Sequence, residues 1–215
     1  MRLGSLLRNA TVLGAVLISV SAQASGVNGS FEQPGGSTQQ ITGSNFLPGW
    51  TYDDNGGTAV DFYEKSGAAG FNAEHGNYYV SFGHTNSFGG SITQDIDTVA
   101  GGTYIIHYWL TQQTSTDPNQ LAAASVYNGG DLLNQNITSL TMPDGTWVME
   151  TLTFLAVSDT STLVIQDVTP GSARADWALD NVRISATPLP AALPMFGSAL
   201  CAAGVFAWRR RKRAA

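Results

Sequence analysis

The sequence sets flat aromatic rings beside small hydrogen-bonding side chains, the combination that a sugar requires. Trp50, Tyr52, Tyr63, Tyr78, Tyr79 and Trp109 offer ring faces, and Asp53, Asp54, Asn55, Asn77 and Gln112 offer partners for hydroxyl groups. A pyranose has an apolar face and a polar rim, so its site needs both residue types together. A tryptophan on a sandwich strand more often fills a core, which places Trp50 and Trp177 inside. Trp109, Tyr52, Tyr78, Asp54 and Asn55 are therefore the candidate ligand residues. Catalytic chemistry has no comparable set: the sequence contains neither a nucleophile elbow nor a zinc motif. Glu74 and His75 are neighbours whose side chains would point apart on a strand. Asp53-Asp54 runs into Asn55-Gly56-Gly57, which is ordinary turn chemistry. The expectation is a binding protein with no catalytic residues, not an enzyme.

Such residues must be positioned by strands. Apolar residues come in short alternating runs separated by Gly, Asn and Pro turns, the pattern of an all-β sandwich. Strands are expected at 27–31, 49–53, 59–63, 78–82, 91–96, 103–111, 122–127, 147–155, 163–168 and 178–184, and about ten of them suggest a jelly roll. In Thr103–Thr111, Tyr104, Ile106, Tyr108 and Leu110 share one face and Ile105, His107 and Trp109 the other. Both faces are apolar or aromatic, which reads as a central strand. In the last strand Trp177 and Leu179 are out of phase with Val182 and Ile184, so a β-bulge is expected at Asp180-Asn181.

The two ends have a different character. Arg2 and Arg8 precede an apolar run and Ala22-Gln23-Ala24, the order of a secretory signal peptide over residues 1–24, with cleavage after Ala24. The apolar stretch around 190–208, followed by the basic cluster 209–213, reads as one transmembrane helix with its charged end in the cytoplasm. Of ten Lys and Arg, two lie in the first segment and five in the last, which leaves Lys65, Arg174 and Arg183 against all sixteen Asp and Glu. The domain between them, residues 25–186, thus carries a net charge near −13, and nucleic acid is excluded as a partner. The single cysteine, Cys201, belongs to the tail, so the domain has no disulfide and its core must carry the stability.

Two resemblances sharpen this reading. Pro188-Leu189-Pro190-Ala191, followed by the apolar segment and the Arg cluster, resembles the PEP-CTERM sorting signals of Gram-negative bacteria, in the variant whose motif reads VPLPA. Thr187 stands where that variant usually has Val. The resemblance implies a sorting tail over residues 187–215, an exosortase-type membrane protease as partner, and association with exopolysaccharide. It also implies export across the inner membrane, at least transient anchoring, and a final place at the cell surface or in the extracellular matrix. Asn28-Gly29-Ser30-Phe31-Glu32, Leu47-Pro48-Gly49-Trp50 and Trp177-Ala178-Leu179-Asp180-Asn181-Val182 are similar to the opening, first-tryptophan and closing motifs of galactose-binding-like jelly rolls, a superfamily with many carbohydrate-binding modules. That likeness implies a structural calcium held by Glu32 and Asp180, with Asn181 where such modules often have a second acid. The function expected is a non-catalytic, envelope-associated module for a polysaccharide. The alternative is a structural matrix or biofilm protein without a specific ligand.

Overall fold

A computed structural model describes residues 26–56, 59–83, 89–113, 119–170 and 176–187. The expected signal peptide with Ala24, the sorting motif Pro188, Leu189, Pro190 and Ala191, the transmembrane segment and the basic cluster lie outside the described residues. Within them the protein is an all-β sandwich of two antiparallel sheets, and no helix is present.

The strands are β1 (Gln39–Gln40), β2 (Thr51–Asp53), β3 (Phe62–Lys65), β4 (Tyr78–Phe82), β5 (Ser91–Asp97), β6 (Thr103–Gln112), β7 (Leu121–Asn128), β8 (Asp131–Ser139), β9 (Val148–Leu155), β10 (Thr160–Asp167) and β11 (Trp177–Ala186). One sheet has the order β1-β3-β4-β11-β6-β9, the other β2-β5-β10-β7-β8. Alternation along the strands puts Tyr63, Val80, Phe82, Leu179, Ile106, Leu110 and Leu152 of the first sheet against Ile92, Ile96, Leu163, Ile165 and Val126 of the second. Phe82 and Trp177 are cross-strand partners whose rings stack at 4.2 Å. Trp50 and Trp177 are buried, as their sequence context requires.

One expected strand does not form, and one that forms was not expected. Residues 27–31 form a turn, with Asn28 and Phe31 both at φ 52° and the Phe31 amide donating to Asn28 O at 3.2 Å. This segment thus buries Phe31 in the core instead of pairing along an edge. Conversely, β8 was not foreseen: its Asn134-Gln135-Asn136 centre lacks apolar alternation, because at this edge of the sheet Asn134 and Asn136 hydrogen-bond across to Thr153 O, Tyr108 OH and Glu150 of the other sheet. β6 is hydrogen-bonded on both sides, by β11 and β9, but its Ile105-His107-Trp109 face is half-exposed, so only one face is core.

The expected bulge is present. The β11–β6 register runs from Trp177↔Gln112 to Asp180↔Trp109, then shifts and resumes at Arg183↔His107. Asn181 takes up the extra residue with φ 54°, a left-handed conformation that asparagine tolerates better than most residues. Gly29 lies against this bulge: Val182 N donates to Gly29 O at 2.7 Å, and a Cβ on Gly29 would sit 2.0 Å from Val182 O. The opening and closing motifs are therefore one structural unit.

Candidate functional site

The outer face of the six-stranded sheet brings aromatic, cationic and polar side chains together. β6 contributes Trp109 and His107, β9 contributes Met149 and Thr151 as their cross-strand partners, and β11 contributes Arg183 opposite His107. Trp109 is half-buried and Met149 is 50% exposed. The Arg183 guanidinium carbon lies 5.5 Å from the Trp109 ring centroid, a cation–π arrangement. Arg183 Nε donates to Asn181 Oδ1 at 2.6 Å, and Asn181 Nδ2 donates in turn to Glu74. The bulge thus aims a cation across an aromatic ring on a strand that is otherwise rigidly paired.

Further along the same face lies a buried acid. Glu64 of β3 is 2% exposed; it accepts the Tyr79 hydroxyl at 2.8 Å, the Ser81 hydroxyl at 2.7 Å and Gln113 Nε2 at 3.4 Å. Burial, and then the Glu64 carboxylate beside it, holds the Tyr79 hydroxyl above its usual range. Asp176 is pushed up to about 6 by burial and by repulsion from Glu64 and Asp144. Tyr79 packs with Phe71 and Trp147 at 5.2 and 5.9 Å, and Trp147 Nε1 donates to Asn72 O at 2.8 Å. Sequence reasoning missed Glu64, Asp176, Trp147 and Arg183. Glu64 beside Lys65 looks like an ordinary solvated pair until the register sets Tyr79 and Ser81 on its side of the sheet.

The sequence-derived ligand residues do not meet. Trp109 alone lies on this face. Tyr52 belongs to β2 in the other sheet and is only 5% exposed; its ring is part of the core and presents no face to a sugar. Its hydroxyl has no hydrogen-bond partner among the described residues, and burial together with the nearby Asp61 raises it above its usual range. Asp61 is itself buried and pushed up to about 6, although Gly83 N and Gly90 N donate to it at 2.8 and 2.7 Å. Asp54 and Asn55 are exposed in the turn after β2, where Asn55 N donates to Asp53 Oδ1 at 2.9 Å. Tyr78 stacks on Tyr63 at 4.9 Å, and its hydroxyl is held by both Gly36 N and Gly36 O at 3.0 Å.

Glu32 and Asp180, the expected calcium ligands, are drawn to one loop, but as acceptors of its amides. Glu32 Oε1 accepts Asn77 N at 2.7 Å and Tyr78 N at 3.1 Å. Asp180 Oδ2 accepts His75 N at 2.8 Å, and its Oδ1 accepts Asn181 N at 2.6 Å. Gly76, between these contacts, has φ 75° and leaves no room for a Cβ, which would lie 2.3 Å from Glu32 Oε1. Burial pushes Asp180 up to about 8 against these donors. Among the described residues no group of three or more His, Cys, Asp or Glu side chains is placed to hold a metal. The two carboxylates latch the 74–78 loop through its amides.

Residues 27–185 match the sequence family described as "Protein of unknown function (DUF642)". The chain belongs to the DUF642 family. No curated protein matches this DUF642 chain. Among solved structures it is similar to a cyclase from Fischerella sp. TAU, with 15% identity, a TM-score of 0.62, and coverage of 80% of this chain and 100% of that one. It is similar also to TmCBM61, solved with β-1,4-galactotriose, at 18% identity and TM-score 0.53 over 74% of this chain and 97% of the other. A third, the MgGH51 α-L-arabinofuranosidase solved with arabinose, matches at 17% identity and TM-score 0.55 over 79% of this chain but only 27% of that one. At these identities the likeness is one of fold, and the fold of the DUF642 domain is shared by a carbohydrate-binding module and by an enzyme.

Proposed function

We propose that this protein is a non-catalytic carbohydrate-binding domain whose ligand, a polysaccharide, lies across the outer face of the six-stranded sheet. The observation that carries this is Trp109: a half-exposed indole on a rigid central part of β6, flanked by Met149 and by the donors of Arg183 and His107. A ring held in that way stacks on the apolar face of a sugar, while the flanking groups take its hydroxyls. The fold it shares with TmCBM61 supports the reading. Isothermal titration of the full chain in mild detergent against a panel of plant and bacterial oligosaccharides tests it. Trp109→Ala is expected to weaken binding by at least about tenfold while leaving the melting temperature within a few degrees, because the residue is not core. Unchanged affinity in that variant would remove this face as the site.

The ends complete the proposal: residues 1–24 direct export, and 187–215 form a PEP-CTERM-type tail that an exosortase-type protease handles at the membrane. Intact-mass measurement of the protein recovered from its native envelope tests both cuts. A second reading, a matrix protein without a specific ligand, is favoured by β8. This is a nine-residue edge strand whose one charge is Asp131 and whose Leu132 and Ile137 are exposed. Concentration-dependent assembly of a chain that binds no glycan would favour that reading.

A further inference from the structure

The distribution of charge on the proposed binding face narrows the class of sugar. Between residues 25 and 186 only Lys65, Arg174 and Arg183 oppose sixteen carboxylates, so an arginine here would be expected to sit in an ion pair. Arg183 does not: it forms no salt bridge with any described residue. Its Nε is fixed by Asn181 Oδ1, which is fixed by the left-handed bulge and by the bond from Asn181 to Glu74. Glu74 therefore orients the arginine through an amide without neutralising it by contact. The guanidinium is left exposed over Trp109, with its two terminal NH₂ groups free of any described acceptor. A planar fork held in place beside an aromatic ring matches a carboxylate in two-point contact.

We infer that Trp109 and Arg183 form a subsite for a carboxylated pyranose, that is, a uronic-acid residue. The ring of that sugar packs on Trp109 and the Met149 side chain, and its carboxylate takes the guanidinium. The domain's net charge near −13 repels a densely charged polyanion, so the ligand is a largely neutral polysaccharide in which acidic sugars are spaced apart. The inference rests on the carbohydrate-binding reading above and goes beyond it in naming the acidic sugar.

The test uses the full chain in mild detergent. The probes are oligosaccharides that each carry one uronic acid in a neutral chain, with a glucuronoxylan fragment as the first, each paired with the same oligosaccharide after reduction of its carboxyl to the alcohol. For at least one pair the acid form is expected to bind about tenfold or more tighter than its reduced partner, and the difference to shrink in added salt. Arg183→Gln, at an exposed position, is expected to keep the melting temperature, to weaken the acid form by at least about tenfold and the reduced form less, and so to abolish the preference for the acid. Trp109→Ala is expected to weaken both forms. Equal binding of acid and reduced forms, or a preference that survives Arg183→Gln, would overturn the acidic subsite and leave the carbohydrate reading standing. No binding of any probe by the wild-type chain would overturn both.

Discussion

Glu64 shows how much a single buried side chain can organise. It accepts two hydroxyls that the outer face of the sheet buries, those of Tyr79 and Ser81. An orphaned buried hydroxyl costs about 1–3 kcal/mol. Glu64→Ala is therefore expected to lower unfolding free energy by about 2–4 kcal/mol in urea denaturation. It should also let Asp176 titrate nearer its ordinary range, since Glu64 is the larger of the charges that raise it. Carbon-13 NMR of the Asp176 carboxyl measures that shift, and a value that stays near 6 would mean burial alone sets it. Nothing at the residue scale of the sequence pointed to Glu64, because an acid next to a lysine on a short strand is usually solvated. That Trp109 lies on the face of β6 opposite Tyr104, Ile106, Tyr108 and Leu110 was legible from the alternation of side chains along a strand, though not that this face is open. Tyr52 was misleading: an aromatic followed by acids and an asparagine resembles a binding loop, yet the three-residue strand that carries it turns the ring inward.

At the scale of elements, strands with strong alternation were legible almost to the residue, as in β6 and β9, because burial of one face fixes both the period and the register. β8 was not, since an edge strand needs no apolar period, and residues 27–31 were not, since their apolar residues serve a turn. The bulge in β11 was legible from its broken phase, and the structure adds what it is for: it receives Gly29 and it orients Arg183. Two substitutions separate these roles. Gly29→Ala drives a methyl group into Val182 O and is expected to destabilise the domain by about 2 kcal/mol or more, read as a fall in the urea midpoint. Asn181→Val places a β-branched residue at φ 54° and is expected to cost about 1–3 kcal/mol. Asn181→Gly accepts the backbone but loses the bonds to Glu74 and Arg183, so it should retain more stability than the valine variant while loosening the arginine. Equal stability of the glycine and valine variants would mean that the bulge conformation carries no strain.

For the whole molecule the dominant quantity is acidity. Asp61, Asp176 and Asp180 are all raised by burial, to about 6, 6 and 8, from an ordinary value of 3.8. A carboxyl whose folded pKa lies above its unfolded one binds protons more tightly when folded, so it favours the folded state at low pH. That advantage is lost as pH rises from the ordinary carboxylate range through about 8, the value of Asp180. The net charge near −13 of the domain at residues 25–186 acts in the same direction, because protonation relieves its self-repulsion. The urea midpoint is therefore expected to be higher at pH 5 than at pH 8, the reverse of a domain whose acids are held in ion pairs. Asp180→Asn removes the group that titrates highest and should flatten the profile between about pH 6 and 8, leaving the lower part to Asp61 and Asp176. A midpoint that rises with pH across this range would show that the amides of His75, Asn181, Gly83 and Gly90 hold these carboxylates ionised despite their burial. In that case the 74–78 loop would be fastened by full charges, and the Asp180→Asn variant would lose stability at every pH instead of only gaining a flatter curve.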